Sequence, residues 1–375
     1  MHQPLAAQLR QALVDLGARR LVQLERLGHE AGDLGRVFGA VAKSEDDRRR
    51  RVQIVDAVAV GVVHHEAVLD LVDLESVHDG RAIAGHGGEP TWRYPRPRLV
   101  PRIAHFVFGL APQTEPFHLV HYLAIESCRR VLEPEQIMLH HKSLPYGVYW
   151  DLIRPSLTLV EAEEATEVLE ADYDEALVPQ HYRYAHHADF VRLDALIEYG
   201  GIYADLDTLF IRPFPDEFYT EEFVIGAEDP VRDERTGEVR PSLCNALLLS
   251  APGARFARAW RERMGQALNG TWSNHSGFLA RTLADELGDA VRVEPAGSFF
   301  PAACSPSGLR SLLQDDGLDI SRALSVHLWA HLWWRPERQD FSSVHARLLT
   351  ADYIRSVDTT YNRLARPYLP DLDLW

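Results

Sequence analysis

The spacing of hydrophobic residues changes near residue 98 of this chain. Before that point, leucines such as Leu9 and Leu13 recur at roughly helical spacing, which predicts a mainly helical region over residues 1–97. Residues 85–101 are rich in glycine and proline, a composition typical of a domain boundary. The pattern therefore predicts two parts: an N-terminal helical region to which the sequence assigns no role, and a second region over residues 98–375.

After the boundary, short apolar segments of strand length alternate with longer segments of helical periodicity. The segments of strand length are residues 102–109, 135–141, 157–163, 202–211, 223–229, 244–253 and 290–300. The helical segments are residues 116–132, 187–199, 254–268 and 277–288. This alternation predicts an α/β fold with an open, mainly parallel or mixed sheet that is covered by helices on both faces. Ligands of such sheets bind at the carboxyl ends of the strands.

Composition and charge exclude some classes of protein. A formal net charge of −16 provides no global basic surface for a nucleic acid, so we expect no nucleic-acid partner. The cysteines Cys128, Cys244 and Cys304 are widely spaced and odd in number, which indicates neither a disulfide framework nor a Cys-x-x-Cys metal site. The apolar runs are far shorter than the ~18 residues of a membrane span, and the start of the chain has no signal-peptide core. We therefore expect a cytoplasmic protein without a transmembrane segment.

Two aspartates interrupt an apolar, strand-like segment. In "IYADLDTLFI", residues 202–211, Asp205 and Asp207 fall on one face of the predicted strand together with Tyr203. Strand geometry places the two aspartate backbones ~7 Å apart, so both carboxylates can converge on one ligand. Hard oxygen donors of this kind suit Mg²⁺ or Mn²⁺ bound to a diphosphate. The alternative is a solvent-facing position on an edge strand, which the strongly apolar neighbours disfavour.

A second polar pair precedes this strand. Asp189 and Arg192 are three residues apart in the predicted helix 187–199 and share one face near its amino terminus. Backbone N–H groups and the helix dipole favour an anion or hydroxyl groups at that end. Gly200 and Gly201 are predicted to end the helix and to turn the chain directly into the strand.

The order of these elements is specific. The segment "HADFVRLDALIEYGGIYADLD", residues 187–207, resembles the central signature of glycosyltransferases with a DXD sugar-binding region. This group includes the α-1,4-galactosyltransferases, the initiating α-1,6-mannosyltransferases of yeast and, more distantly, the catalytic domains of clostridial glucosylating toxins. A looser similarity extends over residues 98–375. The segments that carry it are residues 100–109, 244–257, 276–283 and 325–334.

The resemblance implies a GT-A type, Rossmann-like fold and a retaining transfer of a sugar from a nucleotide-diphosphate donor. A UDP-sugar is the favoured donor, with GDP-mannose as the alternative, and the implied cofactor is Mn²⁺ or Mg²⁺. Carried over by position, Asp207 would be the direct metal ligand, and Asp205 would contact the ribose and the sugar through the metal's shell. Asp189 and Arg192 would hold the hydroxyl groups and phosphates of the donor, with Arg192 also stabilising the leaving diphosphate. Tyr203 would line the same face.

The resemblance also implies roles for residues outside the central signature. His327 would be the late metal or phosphate contact, and His331, four residues later in the repeated His-Leu-Trp, is its rival. Family members often carry a tryptophan that stacks on the base after the first strand. Here Phe106 and Phe108 occupy that neighbourhood, so we expect them to contact the nucleotide, and the identity of the base is left open.

The sequence leaves the chemistry of retention open. Retention requires either a covalent carboxylate intermediate or front-face attack with the leaving phosphate as the base, and front-face attack is the simpler hypothesis. Glu228 and Asp229 are the nearest candidates for a carboxylate nucleophile. The tryptophans Trp329, Trp333 and Trp334 either cover bound sugars or belong to the packed core.

Two other functions compete with the glycosyltransferase hypothesis. A phosphatase of the haloacid dehalogenase type carries its threonine or valine two residues after the second aspartate, whereas Thr208 follows Asp207 immediately. A protein that binds a nucleotide sugar or glycan without turnover is the second alternative, and metal-dependent turnover distinguishes it from an enzyme. For an enzyme, the acceptor is expected to be a glycan, a lipid-linked sugar, a protein side chain or a small molecule.

Overall fold

The computed structural model describes the part of the chain that follows the predicted boundary. The described residues are 97–171, 182–335 and 343–371. All of them belong to one unit of the chain, residues 93–375. The predicted helical region, apart from Pro97, lies outside the described residues. Among the described residues, no helix is long and apolar enough to cross a membrane.

The strands of the described residues form one large mixed sheet and one small sheet. They are β1 (Ile103–Val107), β2 (Gln136–His141), β3 (Thr158–Glu161), β4 (Gly201–Ala204), β5 (Thr208–Phe210), β6 (Phe223–Arg232), β7 (Val239–Ser250), β8 (Arg292–Glu294) and β9 (Ser325–His327). The large sheet has the order β3-β2-β1-β4-β7-β6-β8, and β5 pairs with β9. β1 runs parallel to β2 and β4, whereas β7 runs antiparallel to β4 and β6. The prediction of a mixed sheet is confirmed.

Helices cover both faces of the large sheet. They are α1 (Leu119–Val131), α2 (Val148–Ile153), α3 (Thr166–Glu170), α4 (Tyr182–Tyr199), α5 (Arg255–Ala267), α6 (Leu279–Glu286), α7 (Ala296–Phe299), α8 (Pro306–Leu313), α9 (Ala330–Trp333), α10 (Ala351–Ser356) and α11 (Thr360–Ala365). Side chains alternate between two cores, because successive strand residues point to opposite faces. Ile202 and Leu249 join the core beneath α1, while Tyr203 and Leu248 join the core beneath α4 and α5.

The predicted strand over residues 202–211 is wrong as a single element. β4 ends at Ala204 and β5 begins at Thr208, in a different sheet. Between them, the Thr208 N–H donates to Asp205 O (3.0 Å), which closes a turn over Asp205 and Asp207. Aspartate favours turns over strand interiors because its side chain competes for backbone hydrogen bonds. The turn, and not the alternation of side chains along a strand, therefore sets the positions of the two carboxylates.

The helix that precedes β4 begins earlier than the sequence predicts. α4 starts at Tyr182, so Asp189 and Arg192 lie near its middle, and the prediction of a site at its amino terminus is wrong. Its end agrees with the prediction: Gly200 and Gly201 both have positive φ angles, +65° and +104°. A Cβ atom on Gly201 would overlap the carbonyl oxygen of the neighbouring β1, which makes glycine necessary where α4 turns into β4.

Candidate active site

The carboxylates of the turn between β4 and β5 meet a histidine from a distant strand. β5 and β9 pair so that Thr208 lies opposite His327. His327 Nε2 is 2.9 Å from Asp207 Oδ1 and 3.8 Å from Asp205 Oδ2. One potential ligand atom from each of these three side chains lies within 4.8 Å of the others. The structure thus brings together the three residues that the sequence proposes as metal ligands.

The chemistry of this cluster fits a divalent cation. Two carboxylates and one imidazole combine hard oxygen ligands with a nitrogen ligand, a set that first-row divalent ions accept. The buried His327 has no hydrogen-bond partner at Nδ1, and its Nε2 lies 2.9 Å from Asp207 Oδ1. A divalent cation would take the place of the proton between Nε2 and the carboxylate, because metal ligands must be deprotonated.

The three side chains are electrostatically distinct. Burial alone would raise the pKa of Asp207, but the adjacent His327 holds that pKa at about 2. Burial would lower the pKa of His327, yet the Asp207 carboxylate raises it above its ordinary value. Burial raises the pKa of Asp205 despite the opposing influence of Arg192. Asp207 is therefore the firmly anionic member of the cluster at neutral pH.

A strained residue supplies Asp207 with a backbone donor. Trp329 has a left-handed backbone conformation (φ 51°, ψ 48°), which is rare for a bulky residue. This conformation turns the chain so that the Ala330 N–H donates to Asp207 Oδ2 (2.7 Å). The Trp329 ring also meets His327 edge to face, with 4.4 Å between ring centroids. Backbone strain of this kind clusters at functional sites, where the surrounding packing maintains it.

A buried arginine and a tyrosine fix Asp205. The Tyr203 hydroxyl donates to Asp205 Oδ1 (2.6 Å), and Arg192 Nη1 lies 3.4 Å from the same oxygen. The Arg192 guanidinium also lies over the Tyr203 ring, 4.5 Å from its centroid. Arg192 is only 5% exposed, so its contacts are with protein groups rather than with solvent.

Asp189 is held by three partners from three segments. Arg192 Nη2 lies 2.9 Å from Asp189 Oδ1, and Asn245 Nδ2 donates to the same oxygen (2.8 Å). His275 Nε2 lies 2.9 Å from the other oxygen, Oδ2. Burial alone would raise the pKa of Asp189, but Arg192 and His275 lower it, so the carboxylate is anionic. Arg192 therefore links the Asp189 side of the site to Asp205.

Sequence reasoning missed Asn245 and His275. Asn245 lies in β7, two residues before the partner of the last residue of β4, within a segment that carries the looser family resemblance. His275 lies in a π-helical turn, Asn274–Phe278, which leads into α6. Such turns are rare and occur frequently at functional sites. No local sequence pattern marks either residue, because each meets Asp189 only through the fold.

The other residues that were predicted to contact the donor or the metal differ in their exposure to solvent. Phe106 has no exposed surface and packs in the core beneath α1. Phe108 is half-buried, with its ring against Phe117 and His121. His331 lies outside the metal-ligand cluster and stacks on Trp272.

The candidate nucleophiles and the remaining tryptophans also differ in accessibility. The Ser242 hydroxyl donates to Glu228 Oε1 (2.5 Å), and burial raises the pKa of Glu228 to about 7. Asp229, the next residue, is exposed. Trp333 is fully buried in the core, whereas Trp334 is half-buried and stacks on a histidine of α1.

Two sequence comparisons place this chain among known proteins. The family model described as "glycosyltransferase sugar-binding region containing DXD motif" matches residues 121–228, a range that includes α4 and the turn after β4. Glucan organizing enzyme 1 of Cryptococcus neoformans var. grubii serotype A is 30% identical over 294 residues. That match covers 76% of this chain and 75% of the relative.

Two solved structures, those of GlyE and LgtC, are similar to this chain. The glycosyltransferase GlyE of Streptococcus pneumoniae TIGR4 is 13% identical, covers 72% of this chain and 63% of GlyE, and gives a TM-score of 0.39. An active-site mutant of LgtC is also 13% identical, covers 60% of this chain and 86% of LgtC, and gives a TM-score of 0.35. Both TM-scores are low, so the assignment of this chain to a family depends on the sequence matches.

Proposed function

The chain belongs to the glycosyltransferases whose sugar-binding region contains a DXD motif, and we propose that it transfers a sugar from a nucleotide-diphosphate donor to an acceptor hydroxyl with retention of configuration. A UDP-sugar is the favoured donor, with GDP-mannose as the alternative. The observation that carries this proposal is the convergence of Asp205, Asp207 and His327 on one point. That convergence joins the turn between β4 and β5 to β9, more than a hundred residues away in sequence, and a solvent-facing Asp-Leu-Asp would not produce it.

Asp205, Asp207 and His327 would hold Mn²⁺ or Mg²⁺. When bound, the ion would neutralise negative charge on the leaving diphosphate. The protein fixes the position of these ligands: the Ala330 N–H orients Asp207, and the Tyr203 hydroxyl orients Asp205. Ligands held in place by second partners bind more tightly because less reorganisation is needed.

The sugar of the donor would lie against Asp189. This carboxylate is anionic and rigidly held, so it can accept hydrogen bonds from sugar hydroxyl groups. Because Arg192 is buried between Asp189 and Asp205, we propose that it positions both carboxylates and contributes positive potential to the phosphate side. Among the two phenylalanines, only the half-buried Phe108 offers ring surface to a nucleotide base.

For the transfer itself we favour front-face attack. The bond between the anomeric carbon and the diphosphate oxygen breaks, the acceptor oxygen bonds to the same face, and the acceptor proton passes to the leaving phosphate. Glu228 is held by Ser242 and has a raised pKa, so it is a poor nucleophile near neutral pH. Asp229, the other candidate nucleophile, is exposed to solvent.

The proposed catalytic domain spans residues 98–375, as the sequence predicts. Cys128, Cys244 and Cys304 are all unpaired in the structure. Unpaired cysteines agree with a reducing compartment, so a cytoplasmic location remains our proposal.

Hydrolysis of nucleotide sugars tests the proposed function. The donors are UDP-glucose, UDP-galactose, UDP-N-acetylglucosamine and GDP-mannose, each with Mn²⁺ or with EDTA. We expect slow, Mn²⁺-dependent release of one nucleotide by the wild type and its loss in Asp207→Asn. Asp371→Asn is the matched control, because Asp371 begins a second Asp-Leu-Asp in the same chain but is exposed and outside the site.

Each outcome of this assay separates the competing functions. Release by the wild type and the Asp371→Asn variant, but not by Asp207→Asn, identifies the donor and supports an enzyme. Metal-dependent binding of a nucleotide sugar without release would instead indicate a binding protein. No release and no metal-dependent binding with any donor would refute the glycosyltransferase proposal.

A further inference from the structure

An aromatic pair lies beside the candidate active site. Trp272 and His331 stack with 4.8 Å between ring centroids and 29° between ring planes. Trp272 precedes the π-helical turn of His275, and His331 lies in α9. Both side chains are half-buried, so each keeps exposed surface.

Ring contacts connect this pair to the metal-ligand cluster. His331 meets Trp329 edge to face, at 6.4 Å between centroids, and Trp329 meets His327 in the same way at 4.4 Å. His331 Nε2 also lies 3.9 Å from Cys304 Sγ. Cys304, Trp329 and Glu228 line one cavity, so the aromatic pair lies at the edge of the active site.

The backbone of Trp272 is fixed on both sides. Its N–H donates to Glu234 Oε2 (3.0 Å), and its carbonyl oxygen accepts from the Ser276 hydroxyl (3.0 Å). The following residues continue to His275, whose ring holds Asp189 of the donor site. A ring on a pre-organised backbone binds a ligand at a lower entropic cost. The same short segment thus reaches both the donor site and the aromatic pair.

We propose that Trp272, backed by His331, is a stacking platform for the acceptor, and that the acceptor is an uncharged glycoside. This inference rests on the proposed glycosyltransferase function and names the class of its acceptor. The C–H face of a sugar ring is apolar and weakly positive, which matches the negative face of an indole. Three ring contacts connect Trp272 to His327, so an acceptor on the platform would lie beside the metal-ligand cluster.

Carboxylates around the platform explain why the acceptor is uncharged. Asp229 lines the adjacent cavity, and Glu234 accepts from the backbone N–H of Trp272 (3.0 Å). Carboxylates accept hydrogen bonds from sugar hydroxyl groups but repel a uronic acid or a phosphorylated sugar. Arg240 lies nearby, but its positive charge is already paired with Asp233 (3.0 Å), so it does not neutralise these carboxylates.

Saturation-transfer NMR on the full chain tests the platform. The probes are the methyl glycosides of glucose, galactose and mannose, with methyl β-glucuronide as the anionic counterpart, in Mg²⁺ with UDP or GDP. The variants are Trp272→Leu, which keeps an apolar side chain but has no flat face, and Trp272→Phe, which keeps an aromatic face. Tyr146→Ala, at another exposed aromatic residue, is the matched control, and melting temperatures verify that each variant folds.

We expect at least one neutral glycoside to bind the wild type more strongly than the glucuronide does. Its affinity should fall about tenfold in Trp272→Leu, as the loss of one stacking contact implies, and less in Trp272→Phe. Equal binding by Trp272→Leu, binding by no neutral glycoside, or a preference for the glucuronide would each overturn the inference. Nucleotide release from the donor panel is measured on the same wild-type protein. This second assay tests the glycosyltransferase function independently of the acceptor platform.

Discussion

His275 Nε2 lies 2.9 Å from Asp189 Oδ2, across 86 residues of sequence. The contact is fully enclosed, since His275 has no exposed surface. Because a carboxylate can only accept, the imidazole carries its proton on Nε2 whenever it is neutral. The backbone carbonyl of His275 accepts from the Trp260 indole N–H (3.0 Å), which fixes the turn against α5. His275 is therefore a positioning residue for Asp189.

His275→Ala should weaken both stability and donor binding. Removal of a hydrogen bond to a buried charge costs about 1.5–3 kcal/mol, and Asp189 would then lose one of its three anchors. We expect the KM for the donor to rise about tenfold, with a smaller change in kcat. Urea denaturation and nucleotide-release kinetics measure the two effects.

His275→Gln tests whether the hydrogen bond itself matters. A glutamine amide can donate to Asp189, so we expect it to restore part of the loss in KM. His187→Gln is the control, because His187 lies on the same helix but contacts the backbone oxygen of Glu163 (2.9 Å) instead. An unchanged KM in His275→Ala, with only stability reduced, would show that His275 has a purely structural role.

Mn²⁺ should stabilise the wild-type protein through Asp207. An ion that binds only the folded state at a hundred times its dissociation constant adds about 2.7 kcal/mol of stability. Asp207→Asn removes the firmly anionic ligand, so the Mn²⁺-dependent rise in melting temperature should disappear, whereas Asp371→Asn should retain it. Differential scanning calorimetry with Mn²⁺ or EDTA provides the measurement. An equal rise in Asp207→Asn would place the ion elsewhere.

Much of the sheet could be predicted because its strands carry a local signal. The apolar runs around Ile202 and Leu247 are short and bounded by turn residues, which suffices to identify strands. The break at Asp205–Asp207 escaped prediction because the surrounding residues, Ile202 to Ile211, read as one apolar strand. What ends the strand is the change of partner from β7 to β9, which is a property of the tertiary fold.

The candidate site shows the same division between local and long-range information. Asp189, Arg192, Asp205 and Asp207 were identified because they fall within one specific segment of about twenty residues. The sequence alone left His327 and His331 as rivals. Antiparallel pairing of β9 with β5 places His327 against Asp207, and the left-handed turn that follows directs the chain away before His331.

Acid should destabilise the protein through a buried histidine pair. His105 Nδ1 lies 3.1 Å from His140 Nε2, and His105 Nε2 contacts Gly200 O at 2.8 Å. Burial lowers the pKa of His105 to about 4 and that of His140 to about 3. Both are neutral when folded but titrate near 6.5 when unfolded, so their contribution is complete above pH 6.5 and is lost as the pH falls toward 4.

Between pH 6.5 and pH 5, His105 and His140 bind protons in the unfolded chain but not in the folded one. The free energy of unfolding should therefore fall by about 3 kcal/mol through this pair. Urea denaturation at pH 7.5, 6.5, 5.5 and 5.0 measures the loss, in a range where most carboxylates remain ionised. His140→Gln removes one titrating group, so over the same range its free energy of unfolding should fall by about 1.5 kcal/mol less than that of the wild type, in which His118, His121 and His186 also titrate. An identical pH dependence in wild type and variant would mean that other groups control the acid response.

Two glycines near the site should respond in opposite ways to alanine. A Cβ atom on Gly277 would overlap the Ser242 hydroxyl and lie 2.8 Å from Leu243 O and 3.1 Å from Glu228 Oε1. Because these groups belong to the packed β6 and β7, Gly277→Ala should cost about 1–3 kcal/mol. Gly297, in α7, has nothing within 4 Å of the added atom, so Gly297→Ala should stabilise by about 0.4–1 kcal/mol. Similar urea midpoints for both variants would show that the π-helical turn moves away from β7 without cost.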